Sequence, residues 1–207
     1  MTSPRPGGRA AEAARNDQVI LETARDVFVG DPSAPMSAVA EAAGVGVGGL
    51  YRRYASKEQL LRRLCWDGLQ QFVAVAEQAL AAPADESFAV FLRGIVDSDV
   101  HSLTVRLAGT FTPTTELHDL AAQADRLLRQ IVRRAKAAGA LRADLHANDV
   151  PMLFEQLTAV HGADQSRTAE LRSRYVALLS DALAPRPDNT RLPGRPPTDA
   201  ELGARWR

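Results

Sequence analysis

Apolar residues recur at helical spacing from about residue 11 to residue 184, and almost nowhere do they alternate as a half-buried strand requires. Val19, Ile20, Ala24, Val27 and Phe28 form one stripe, which ends at Gly30-Asp31-Pro32. A short segment over residues 37–43, with Ser37 as N-cap, stops at Gly44, and a second short segment covers residues 47–54. Ser56 then caps a long helix. Lys57 and Glu58 occupy its first turn, and Leu60, Leu61, Leu64, Leu69, Phe72 and Val75 its apolar face, as far as Ala82-Pro83. Further helices are predicted over residues 86–99 and 102–109, and from Pro113, in a first turn, to Ala138-Gly139. Asn148 reads as the N-cap of a helix with Pro151 in its first turn, ending at His161-Gly162, and a last helix spans residues 166–184. The fold class is all-α.

The ends differ in composition. Residues 1–10 hold Pro, Gly and Arg and are expected to form a flexible arm; residues 185–207 contain five of the twelve prolines and are expected to be disordered. No stretch approaches the roughly 18 consecutive apolar residues of a membrane span, and the N-terminus lacks the apolar core of a secretory signal, so the chain reads as cytoplasmic. A single cysteine, Cys65, excludes an internal disulfide framework and a clustered-thiol zinc site, and a buried structural thiol is the plainer reading of it than a redox sensor. Net charge is zero over the chain, with nine Lys/Arg against seven Asp/Glu in residues 1–63. That mild polarity does not by itself point to a nucleic acid.

The chemistry is carried by Met36-Ser-Ala-Val-Ala-Glu-Ala-Ala-Gly-Val-Gly-Val-Gly-Gly-Leu-Tyr-Arg-Arg-Tyr-Ala-Ser-Lys-Glu-Gln-Leu60. Two short helices meet at a tight turn that needs a residue free to take positive φ, and Gly44 supplies it. Val39, Ala40 and Ala43 face inward from the first helix, with Val45 in the turn and Leu50 from the second. Such packing sets the second helix steeply to the first, so that its leading end can enter a major groove. In an ordinary all-α protein, Tyr51 and Tyr54 would be core edges and Lys57 a solvated helix start. The Ala-Gly-Val turn, the Leu-Tyr pair, an aromatic three residues after that Tyr, and Ser-Lys-Glu before a Leu together resemble the signature of the TetR family of repressors, over about residues 14–63.

The resemblance implies a three-helix DNA-binding domain over residues 11–63 and a ligand-binding, dimerising helical bundle over residues 64–184. It implies that Val47, Gly48 and Gly49 face bases and that Tyr51, Arg53, Tyr54 and Lys57 meet the phosphate backbone, the last at a helix N-terminus whose dipole also favours phosphate. Gly46 stands where the family carries a capping Ser or Thr, and Gly48 and Gly49 leave the reading surface poor in side chains, with Arg52 and Arg53 expected to compensate. Arg5 and Arg9 of the arm are expected to add minor-groove or phosphate contacts.

No motif of similar specificity follows residue 65. Residues 138–150 resemble the link that precedes the dimerising helices in a common actinobacterial subgroup of the family. Leu153, Phe154 and Leu157 form one stripe and Leu171, Tyr175 and Leu178 another, and two such helices from each subunit would make a four-helix homodimer interface. A two-fold dimer implies a palindromic double-stranded DNA operator. Trp66, Phe88, Phe91, His101, Phe111, His118 and His161 are candidates to line the pocket of a small, mostly apolar effector. The histidines lack the spacing of a metal site, and no nucleophile elbow, phosphate loop or framed carboxylate pair suggests an enzyme or a bound cofactor. A helical adaptor that has kept the fold with weakened DNA binding is the alternative, kept open by Gly46, Gly48 and Gly49.

Overall fold

The helical spacing is realised throughout. A computed structural model of the chain describes the backbone of residues 6–107 and 109–204, and the side chains of residues 15–204 except those at 104 and 108. Among these residues there are ten helices and no strand: α1 (Pro6–Gly30), α2 (Met36–Ala42), α3 (Val47–Arg53), α4 (Lys57–Ala81), α5 (Ser87–Asp97), α6 (Val100–Leu107), α7 (Thr115–Ala137), α8 (Asp149–Thr158), α9 (Gln165–Leu183) and α10 (Asp199–Gly203). They fall into two compact units, Met1–Leu64 and Cys65–Arg207. No helix among the described residues is long and apolar enough to cross a membrane.

In the first unit α1 packs on α2 and α2 on α3. Ile20, Ala24 and Phe28 from α1, Val39 and Ala40 from α2, Leu50 from α3, and Leu60 and Leu61 from α4 are all buried. Burying a side chain the size of Leu50 or Phe28 contributes about 1.5–3 kcal/mol, more than any single surface contact in the unit. α1 starts at Pro6, so residues 6–10 are its first turns and not part of a flexible arm. Proline suits the first helical position because the N–H it lacks would have no partner there, and Ala10-Ala-Glu-Ala-Ala14 continues with strong helix formers. Residues 1–5 of the expected arm lie outside the described residues.

Pro35, not Ser37, takes the N-cap position of α2, in extended conformation and without a side-chain cap bond. Met36 is buried, which draws one more residue into the helix than the polar cap signal indicates. The α2–α3 turn follows the expectation: Gly44 has φ +64, its N–H reaches Glu41 O at 3.1 Å, and the next N–H, of Val45, reaches back to Ala40 O at 2.9 Å. This pair of bonds around a left-handed residue satisfies the carbonyls that a helix end leaves bare, and Gly139 (φ +71) ends α7 in the same way. At the start of α4 the Ser56 hydroxyl accepts from Gln59 N (3.1 Å) while Gln59 accepts from Ala55 N (2.7 Å), a reciprocal cap.

In the second unit α5 packs against α6, α7 and α9, and α6 against α8. Phe91, Leu92 and Ile95 of α5 meet Ile131 of α7 and Val150 and Leu157 of α8 in one apolar core. Arg134 of α7 donates to Leu80 O, and to Ala82 O at 2.9 Å, so a cation closes the carbonyl end of α4. Thr114 caps α7 by accepting from Leu117 N, and Asp164 caps α9 by accepting from Arg167 N.

The segment expected to be disordered is placed against this unit. Asn148 sits at the N-cap of α8 but makes no cap bond; its amide donates to Pro197 O (2.8 Å) and Asp199 Oδ1 (2.7 Å). Arg129 Nη2 reaches the same Asp199 oxygen at 2.8 Å, and the Asn148 and Arg129 bonds hold the Asp199 carboxyl below its usual range. Arg142 Nη2 donates to Thr190 O (2.6 Å), and Asp144, paired with Arg142, accepts from Leu192 N (2.8 Å). The Arg142 guanidinium, then that backbone N–H, hold the Asp144 carboxyl far below the usual carboxylate range. Thr198 and Glu201 form a capping box that starts α10. Composition misleads here because a proline-rich chain gives up little freedom on ordering, so a few polar anchors suffice without an apolar core. This segment, residues 185–204, forms a strap that together with Met152 of α8 lines a cleft of ≈ 360 Å³.

Two predictions follow from these local devices. An added methyl at Gly44 meets nothing within 4 Å, so Gly44→Ala costs only the left-handed backbone, about 1–2 kcal/mol in urea unfolding, and Gly44→Asn costs less. Asn148→Ala removes two of the strap's anchors and lowers stability by about 1–3 kcal/mol. Amide hydrogen exchange then rises across residues 190–203 while α5 stays protected.

Candidate nucleic-acid interface

α3 is seven residues long, and its character is set by which side it buries. Leu50 points wholly into the first unit, whereas Val47, Gly48, Tyr51 and Arg52 are exposed and Gly49 is half-buried. Its N-cap is Gly46, extended and without a side-chain cap, as the sequence implied. Tyr51 keeps 48% of its surface open, which for an aromatic on a short helix leaves the ring and hydroxyl available to a partner.

The end of α3 is anchored from α1. Tyr54 is buried, and its hydroxyl donates to Asp17 Oδ1 at 3.0 Å; Arg53 Nη1 reaches the same oxygen at 3.3 Å. Tyr54, expected at the phosphate backbone, is packed into the first unit, where it positions the end of α3. Its spacing three residues after Tyr51 puts both on neighbouring faces of one turn, and the apolar demand of the core takes the second. Lys57 is half-buried: Nζ donates to Pro32 O at 2.8 Å and lies 5.1 Å from the Phe28 ring centroid. Part of its hydrogen-bonding capacity is spent on its own unit. Arg5 and the side chain of Arg9 lie outside what the structure describes.

Of the residues expected in an effector pocket, the second unit gathers three. Phe91 meets Phe88 (6.4 Å between centroids), Phe72 (5.3 Å) and Phe154 (6.0 Å), and Phe154 meets the His101 ring at 5.9 Å. Phe111 is buried and Trp66 half-buried, while His118 and His161 stand exposed and are not drawn into this cluster. His118 follows the buried Leu117 in the first turn of α7 and falls on the outer face of that helix, and His161 lies after the end of α8, where helical periodicity fixes no inward face. The expected dimer stripes divide in the same way. Phe154 and Leu157 are buried in the core of their own chain and Leu153 packs against it, so the α8 stripe serves the chain's own interior. Leu171 is half-buried, and Tyr175 and Leu178 remain 46% and 53% exposed on α9.

Sequence reasoning missed one polar cluster. Asp99, at φ +52 between α5 and α6, accepts from Arg172 Nη1 of α9 at 2.5 Å, and His101 Nδ1 lies 3.8 Å from the same carboxylate oxygen. Arg172 is buried and also reaches Val160 O at 3.3 Å. The one signal in the sequence was an arginine next to Leu171 on the α9 stripe. Cys65 is buried, and desolvation pushes its thiol up to about 12, so it stays protonated at neutral pH. Among the described residues no group of three or more His, Cys, Asp or Glu is placed to hold a metal ion.

A short-turn helix pair with an exposed second helix, followed by a larger helical unit, has the form of a helix-turn-helix regulator. The family model for bacterial regulatory proteins of the tetR family matches residues 20–64, and that for the SbtR-like transcriptional regulator C-terminal domain matches residues 82–185. The chain belongs to the TetR family of transcriptional regulators. A TetR transcription regulatory protein from Mycobacterium vanbaalenii is 28% identical, with TM-score 0.56 over 85% of this chain and 99% of that one. The fold is shared at lower identity by the ketosteroid transcriptional regulator KstR2 of Mycobacterium tuberculosis (19%, TM-score 0.60, 83% of this chain and 96% of that one). It is shared too by LfrR of Mycobacterium smegmatis, solved in complex with proflavine (21%, TM-score 0.54, 79% of this chain and 95% of that one). No curated protein is significantly similar in sequence.

Tyr54→Phe keeps the ring in the core and removes the bond to Asp17. Chemical denaturation should show a loss of about 1 kcal/mol, since Asp17 is partly exposed and water replaces part of its share of the bond.

Proposed function

We propose that this chain is a repressor that binds a palindromic operator as a homodimer and is released by a small-molecule effector. The observation that carries the reading is the exposed face of α3: Val47, Gly48, Tyr51 and Arg52 project from a helix whose other side is fixed by Leu50 and by the Tyr54–Asp17 bond. Val47, Gly48 and Gly49 are assigned to the base edges, Tyr51 and Arg53 to phosphate, and Lys57 to phosphate with the donors left over from Pro32. The excess of positive charge in residues 1–63 has the sign that a duplex requires.

Dimerisation is assigned to α9, through Leu171, Tyr175 and Leu178, because two of these are large apolar groups left exposed on one helix. A two-fold pair of α3 helices about 34–36 Å apart would meet successive turns of one DNA face. The effector is assigned to the second unit near Phe88, Phe91 and His101, an aromatic environment suited to an apolar or planar molecule. That LfrR was solved with proflavine agrees with this class of ligand. Effector binding would favour a dimer whose α3 helices no longer match successive grooves, and release follows from the difference in affinity between the two states. Such a protein works where the chromosome is, in the cytoplasm.

The adaptor reading draws on the same face, since two glycines and an inward Tyr54 leave it few side chains. Fluorescence anisotropy with the DNA upstream of the coding sequence separates the two. The regulator binds specifically, with log K falling against log salt at about 0.9 per phosphate neutralised, and Arg53→Ala weakens it about tenfold. Absence of any specific, salt-sensitive complex removes the proposal.

A further inference from the structure

The Arg52 guanidinium lies back over the two glycines that precede it on α3. A methyl built at Gly48 would stand 3.9 Å from Arg52 Nη1, and one built at Gly49 would stand 3.7 Å from Nη2. Each end of the fork therefore covers one glycine, as expected for a long side chain that leans toward the start of its helix. The fork lies against the space that side chains at 48 and 49 would occupy.

Neither glycine is required by the fold. Neither has positive φ, and the contacts an alanine methyl would make are of ordinary length. Alanine would also favour the helix. The constraint that glycine meets at these positions lies on the open side, where bare backbone permits close approach and Arg52 supplies a planar pair of donors beside the Tyr51 hydroxyl. The other cations are each committed in part to their own unit: Arg53 to Asp17 and Lys57 to Pro32 O. Among the described residues no acidic group pairs with Arg52.

We propose that Arg52 is the specificity-determining residue of this interface: its fork reads O6 and N7 of a guanine in each half-site, and Gly48 and Gly49 exist to let it approach. The inference rests on the DNA-binding reading above and deepens it. A planar pair of donors at the leading half of α3 matches the guanine major-groove edge, which presents two acceptors side by side. A phosphate offers a guanidinium two acceptors as well, and the two sources predict different behaviour. A base contact changes which sequence is preferred; a phosphate contact weakens all sequences alike.

The test is selection from a randomised duplex pool by the full-length protein, followed by affinity measurements on the enriched site and on its single-base variants. The wild-type protein should enrich two-fold-symmetric sites with guanine at one fixed position per half-site, preferred about tenfold or more over other bases, the scale of one bidentate base contact. Arg52 is exposed, so Arg52→Ala leaves the fold intact, and circular dichroism checks this. Arg52→Ala should abolish the preference at that position while retaining the others, and Arg52→Lys, which keeps the charge but not the fork, should do the same with less loss of overall affinity. The double variant Gly48→Ala/Gly49→Ala should be more stable to urea yet discriminate less at the same position. If Arg52→Ala weakens binding equally to every sequence with the guanine preference unchanged, Arg52 is a phosphate contact and the inference is overturned while DNA binding stands. If the wild-type protein enriches no sequence, the DNA-binding reading falls and takes this one with it.

Discussion

One carboxylate oxygen, Asp17 Oδ1, receives both the Tyr54 hydroxyl and the Arg53 guanidinium from the far end of α3. Each bond alone is modest, because Asp17 and Arg53 keep about a third of their side-chain surface in water and screening reduces the charge term. The larger energy lies in the Tyr54 ring and Leu50, whose burial drives α3 onto the unit whatever the polar groups do. What the carboxylate adds is direction. Apolar burial would tolerate a rotated helix, whereas two donors converging on one atom admit few orientations, and the face that remains outside is thereby selected. The exposed positions of α3 are the complement of this choice.

The same competition explains what could be read in advance. Helix positions were legible because periodicity is local, and the α2–α3 turn because only a left-handed residue closes it, as Gly44 does. The outward set on α3 was legible except at Tyr54, where side-chain type fits either a wet or a dry environment and only the packed neighbours decide. α8 misled for a related reason. An apolar stripe states that a face is buried but not against what, and Phe154 and Leu157 found their partners within the chain. The helix cap read from residue type failed at Ser37, where a buried Met36 extended the helix, whereas Asn148 does stand at the N-cap of α8, without a side-chain cap bond and with its amide donating to Pro197 O.

Asp99 and Arg172 were invisible for a different reason. They are 73 residues apart, and nothing in either neighbourhood announces the other. Their value to the second unit is orientational: a buried guanidinium needs its acceptors in fixed places, so the pair sets where α9 lies relative to the α5–α6 corner. That corner places His101 beside Phe154, which makes the polar pair a determinant of the shape of the aromatic cluster as well as of the fold.

The strap has a consequence for how the second unit is assembled. Its contacts reach back 48 to 70 residues, to Arg129, Arg142, Asp144 and Asn148. On a ribosome the α7–α8 corner emerges first and must wait, its Asn148 amide hydrated, until the polypeptide that ties it down has been made. For that interval the nascent corner is held by α7 and α8 and by the earlier helices α5 and α6 that pack on them. Completion of the unit is thus coupled to translation of a stretch that composition alone would have dismissed as an appendage.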